Sequence, residues 1–126
     1  GQEAPLGEEE ILTLAEQMRR CLPEKLNRHA ASMGVTFGRV TIRCQQTRWG
    51  SCSSRGNLNF NCLLMLAPEE VLDYVVVHEL AHRKQMNHSA LFWQEVAREC
   101  PDYKKSLLWL KDRGGALLSR ARAGKD

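Results

Sequence analysis

Two absences narrow this sequence before any motif does. No apolar run approaches the ~18 residues a transmembrane helix needs, so no membrane partner is expected. No two of the five cysteines stand at C-x-x-C spacing. Cys21, Cys44, Cys52, Cys62 and Cys100 are an odd, scattered set, which argues against a Cys-rich zinc finger and against a disulfide framework. The N-terminal "GQEAPLGEEE" lacks the apolar region of a secretory signal. A reducing, cytoplasmic setting with structural thiols is therefore expected. Charge is also scarce as a clue, because a net +3 is too small to specify a partner. Its distribution says more: positions 104–125 hold seven basic residues and one acid, Asp112. Such a segment can bind nucleic-acid phosphates, although a solvated tail explains it as well.

What is present suits one soluble domain spanning 1–126, with 43% hydrophobic and 26% charged residues. Over 8–22, Ile11, Leu12, Ala15, Met18 and Leu22 recur at spacings of three and four and predict an amphipathic helix. Pro23 is expected to break or restart it, and Gly34 to stop a second stretch, giving an N-terminal helical region over 1–34. The period then changes to two. "RVTIRC", "TRWGSC" and "NLNFNCL" predict strands, with Gly56 and Asn57 able to take positive φ in the turn between the last two. "APEE" opens a helix expected over 68–85. "SALFWQEVAREC" follows, stopped by Pro101. A last helix, "DYKKSLLWLK", is expected to end at Gly114-Gly115, leaving a flexible basic tail over 114–126.

Histidine is rare, with four in the chain, yet three fall in "HELAHRKQMNH" at 78–88. On a helix, His78 and His82 lie one turn apart on one face, where both imidazoles reach one ion at ~2.0–2.1 Å. Glu79, adjacent to His78, reaches the open side of the ion and can take a proton from bound water. Chance produces H-E-x-x-H in roughly one sequence of this composition in a hundred. The run Val75–Val77 favours a strand, which would hold the two rings ~13 Å apart and abolish the site. The Pro-Glu-Glu start and the Leu72, Val75, Val76, Leu80 stripe favour the helix.

Catalytic zinc takes three protein ligands plus water, and three imidazoles suit zinc over calcium or magnesium. His88 is the expected third ligand. An unbroken helix would carry it ~15 Å beyond His78, so the chain must turn. Asn87 in the left-handed region and Ser89 as an N-cap would make that turn. Glu95 and Glu99 are the rival ligands. His29 lies on a polar helical stretch and reads as an ordinary histidine.

"RWGSCSSRGNLNFN", "LDYVVVHELAHRKQMNHSALFW" and "PDYKKSLLWL" together resemble the YgjP-like metallopeptidase family, itself similar to the SprT-like and WLM zinc proteases. The resemblance runs from about Arg39 to Arg113. The alternating strands suggest a small antiparallel sheet of about three strands, and with the resemblance the expected fold is α+β and zincin-like, that sheet packed on the H-E-x-x-H helix with flanking N- and C-terminal helices. The resemblance also implies His78, His82 and His88 as zinc ligands and Glu79 as the base. One departure is visible, Cys62-Leu63 where members often carry Trp-Arg. "RWGSC" is a family mark without an assigned chemical role. Trp49 is expected to wall the cleft, and Cys52 has no base that would make it a nucleophile.

The expected reaction is amide-bond hydrolysis of a peptide or protein held along a free sheet edge. Tyr74, Tyr103, Arg48 and Arg83 are the candidates for stabilising the oxyanion. Two other readings are kept: a nucleic-acid-associated protein with a structural or vestigial metal, and a metal-dependent hydrolase of a non-peptide substrate.

Overall fold

The structure is a computed structural model and describes residues 4–121. Helix α1 (Glu8–Met33) leads into strands β1 (Val40–Arg43), β2 (Gly50–Cys52) and β3 (Leu58–Asn61). A 3₁₀ helix (Cys62–Leu66) then precedes α2 (Glu69–Ala81), α3 (Ala90–Glu99) and α4 (Tyr103–Ser119). The class is α+β, four helices around a three-stranded sheet. No helix among the described residues is long and apolar enough to cross a membrane.

Helix α1 is continuous, whereas a break at Pro23 was expected. Proline removes one backbone hydrogen bond. The buried stripe Met18, Leu22, Leu26, Ala30 and Met33 continues across it and holds both halves on one axis. Glu10 closes back on the Gly7 N–H at 2.9 Å at the start. Gly34 ends the helix at φ 71°, with the Val35 N–H bonding Ala30 O at 3.0 Å.

The sheet differs from the antiparallel meander that alternation suggested. Its order is β1-β3-β2, with β1 parallel and β2 antiparallel to β3. Alternation reports which side chains share a face and says nothing about strand direction. The 44–49 connection crosses from one edge of the sheet to the other. It is pinned by the Asn61 side chain, which donates to Gln45 O at 2.9 Å and Arg48 O at 3.0 Å. In the β2–β3 turn Gly56 takes φ 87°, while no non-glycine residue among the described ones, Asn57 included, has positive φ. Leu58 and Phe60 point into the core, and Asn59 faces outward beside Ser51.

The valines at 75–77 are helical because burial outweighs their strand preference. All three are buried, as are Val71, Leu72 and Leu80, so α2 is the central, nearly all-round buried helix of the fold. Each buried valine gains ~1.5 kcal/mol or more, against a propensity cost of a few tenths. Helix α4 packs on α2 and runs through Gly114-Gly115 to Ser119, past its expected end. Gly114 marks a close approach, since a Cβ there would stand 3.3 Å from Trp49 Cζ2. Of the basic tail expected over 114–126, residues 122–126 lie outside the described residues.

A charged cluster ties α1 to α2 and α3. His29, only 6% exposed, is not the surface histidine its polar stretch suggested. Its Nε2 lies 2.8 Å from Asp73 Oδ1 and its Nδ1 2.7 Å from Glu99 Oε2. Lys25 Nζ bonds Asp73 at 2.8 Å and Glu69 at 2.9 Å. Burial would raise the Asp73 carboxyl, but the bonds from His29 and Lys25 outweigh it and hold it at about 2. The bond to Asp73 in turn raises the His29 imidazole above its ordinary range, against the opposing effect of burial.

Candidate metal centre

Helix α2 brings His78 and His82 to one face, and the loop before α3 brings His88 to meet them. One ligand nitrogen from each lies within 4.8 Å of the other two. The ring centroids are 5.2, 5.1 and 4.8 Å apart for the 78–82, 78–88 and 82–88 pairs. Tetrahedral zinc with ~2.0–2.1 Å bonds spaces its ligands about 3.3 Å apart. The triad stands slightly open relative to that, and its all-imidazole donor set fits zinc chemically. No other group of three potential metal ligands converges among the described residues.

The turn that delivers His88 is built differently from the expected one. Helix α2 stops at Ala81, with His82 as its C-cap. The N–H groups of His82, Arg83 and Lys84 bond the carbonyls three residues back, from Glu79 to Ala81, and so tighten the last turn. That tightening replaces a left-handed Asn87. Ser89 caps α3 as expected, its side chain accepting from the Phe92 N–H at 3.3 Å.

The rings are oriented by their second nitrogens and by their floor. His82 Nδ1 lies 3.1 Å from Gln85 O, so an N–H there leaves Nε2 available to a metal ion. His78 Nδ1 lies 3.1 Å from Glu79 Oε2. Partial desolvation lowers the His88 imidazole pKa, and the neighbouring His78 and His82 lower it further, which favours the neutral, ligating form. Beneath all three rings sits Phe92, 0% exposed, with ring centroids 4.6 to 5.0 Å from theirs. Trp93 stacks on His88 at 6.1 Å and on Tyr103 at 5.3 Å, extending an aromatic wall to Tyr74.

Glu79 is 5% exposed and lies against β2. It and His78 line a cleft of about 250 Å³ with Arg48, Trp49, Gly50, Tyr74 and Val75. The expected wall, Trp49, is therefore in place. Burial, then the Glu79 charge, raises the Tyr74 hydroxyl to about 12, so it is protonated at neutral pH.

The remaining sequence candidates fall elsewhere. Glu99 is held by His29 and by the Ser32 hydroxyl at 2.6 Å, and Glu95 by Lys84 at 3.3 Å and Arg98 at 3.1 Å. Neither joins the histidines. Arg83 donates to Thr36 O at 2.8 Å, which secures the loop before β1. Burial raises the Cys52 thiol, and Glu79 raises it further, the opposite of what a nucleophile needs. No disulfide joins any of the five cysteines. Two residues of the site were missed. Gly50 gives Glu79 its room, and Phe92 floors the triad. Phe92 carried a signal, standing ten residues past His82 in a helix whose cap was already identified. Gly50 carried none, because the need for space appears only when β2 meets α2.

The YgjP-like metallopeptidase domain family matches residues 7–113, and so includes α1 as well as the stretch from Arg39. Two solved structures are similar in fold. The metallopeptidase zymogen abylysin of Pyrococcus abyssi has a TM-score of 0.58 and 23% identity over 71% of this chain and 92% of its own. The metallopeptidase zymogen jannalysin of Methanocaldococcus jannaschii has 0.55 and 23% over 68% and 92%. A search of curated proteins gives no match. The chain belongs to the YgjP-like metallopeptidase family.

Proposed function

We propose that this protein is a zinc-dependent peptidase of the H-E-x-x-H type, with His78, His82 and His88 as ligands and Glu79 as general base. The observation that carries the reading is the convergence of three imidazole nitrogens within 4.8 Å beside a buried carboxylate that lines a cleft. A zinc ion there would supply Lewis acidity for the scissile carbonyl and lower the pKa of water toward ~7. Glu79 takes the proton of the attacking water and delivers it to the leaving amine nitrogen. The Tyr74 hydroxyl lines the same cleft and would serve as a neutral donor to the developing oxyanion. The free edge of β2 offers backbone groups to an extended peptide beside Gly50.

Helix α4 supports a second reading, in which nucleic acid is bound as well, because it exposes Lys104, Lys105, Lys111 and Arg113 around the single acid Asp112. The deciding experiment is hydrolysis of a peptide library, with nucleotides and non-peptide esters run in parallel, by the wild type and by Glu79→Gln. Peptide cleavage that falls at least ~10³-fold in Glu79→Gln, with zinc retained, supports the reading. Cleavage confined to the non-peptide compounds, or unaffected by Glu79→Gln, refutes it.

A further inference from the structure

Within R-W-G-S-C, Trp49 walls the cleft and Gly50 makes room for Glu79, which leaves Arg48 without a task. Its backbone is fixed: Arg48 O accepts from Asn61 Nδ2 at 3.0 Å, and Trp49 O from the Asn61 N–H at 2.9 Å. Arg48 lines the same cleft as Glu79, His78 and Tyr74. It makes no salt bridge with Glu79 or with any other acid among the described residues. The surrounding sequence offers none either, since positions 25–68 contain no Asp or Glu. The same span also carries Arg39, Arg43 and Arg55.

A guanidinium stays charged at every physiological pH, is weakly hydrated, and matches a carboxylate with two parallel N–H donors. Left unpaired in a concave site beside the base, it selects for an anion supplied by the substrate. We propose that Arg48 is a specificity-determining residue that binds a carboxylate of the peptide substrate next to the scissile bond. That carboxylate belongs either to an Asp or Glu side chain or to the C-terminus. The proposal rests on the peptidase reading above and names its substrate class.

The test uses matched peptides that differ at one position flanking the cleaved bond: Glu, Gln or Lys, each with an amidated C-terminus, plus the Gln peptide with a free C-terminus. Wild type is expected to favour a carboxylate-bearing peptide over the amidated Gln peptide by roughly tenfold or more in kcat/KM. The Glu peptide winning identifies a side chain, and the free C-terminus winning identifies a terminal carboxylate. Arg48→Glu should abolish the preference or turn it toward Lys, and Arg48→Lys should keep part of it, with zinc content and circular dichroism unchanged in both. An acidic-to-neutral ratio in Arg48→Glu equal to that of wild type overturns the proposal. A second arm reads binding without turnover, as the anisotropy of fluorescent Glu and Gln peptides on zinc-loaded Glu79→Gln protein. Binding of the Glu peptide should weaken at least roughly tenfold when Arg48→Glu is added. If wild type cleaves no peptide, the peptidase reading fails, and this arm decides Arg48 alone. Equal binding in both proteins overturns the proposal.

Discussion

Gly50 lies directly against Glu79. A methyl group at Gly50 would stand 3.2 Å from both Cγ and Oε2 of Glu79 and 3.0 Å from Asn59 O. The Asn59 carbonyl belongs to β3 and cannot yield without breaking the β2 pairing, so the carboxylate must move. Gly50→Ala is therefore expected to lower kcat by roughly 10- to 100-fold while zinc content stays at wild-type level. Kinetics and metal analysis on the same preparation check this. A wild-type kcat in Gly50→Ala would uncouple β2 from the base.

The triad has an apolar floor, which links metal affinity to packing. Phe92 is fully buried, and Phe92→Ala should cost about 3–5 kcal/mol of stability. The three rings lose their common support, so zinc affinity should fall as well, with Phe92→Leu intermediate in both. Thermal unfolding and competitive zinc titration measure the two effects. A loss of stability without any loss of affinity would show that the histidines are held by their own backbone alone.

The cluster around His29 makes stability depend on pH at both ends. Asp73 is held at about 2 against an ordinary 3.8, so its contribution is present above ~4 and is lost as pH falls toward 2. That contribution is roughly 2 kcal/mol. His29 is raised above its ordinary 6.5, so its contribution is complete below 6.5 and fades as pH rises through its higher folded value. Urea unfolding from pH 2 to 9 should show both limbs. Asp73→Asn should flatten the acid limb and His29→Gln the alkaline one. An unchanged alkaline limb in His29→Gln would assign that loss to another group.

Glu95 and Glu99 separate ligation from structure. Glu99→Ala leaves His29 and Ser32 without their partner and should lower stability, yet it should leave zinc binding intact. Glu95→Ala should do little to either. Removing the metal should destabilise the wild type by about 2.7 kcal/mol relative to protein at a hundredfold excess of free zinc over Kd. His82→Ala should show no such difference. A zinc-dependent Tm in His82→Ala would place the ion elsewhere.

The parts of this fold that were legible in the sequence are those governed by local spacing. His78 and His82 needed only the helical period, and Ser89 needed only its place before an apolar run. What was not legible depends on partners distant in the chain. The direction of β1 relative to β3 is set by a crossing loop that Asn61 pins from the far strand. Pro23 is carried through because residues on both sides are buried against other elements. Gly114 looked like a stop, but its function is to admit Trp49, sixty-five positions away. His29 looked exposed until α2 and α3 supplied Asp73 and Glu99.

Zinc content of protein purified without added metal, compared between wild type and His88→Ala, tests the central claim most directly. About one zinc per wild-type chain, and a severalfold loss of retained zinc in His88→Ala, is the predicted result. Full zinc occupancy in His88→Ala, or none in the wild type after reconstitution, would contradict it.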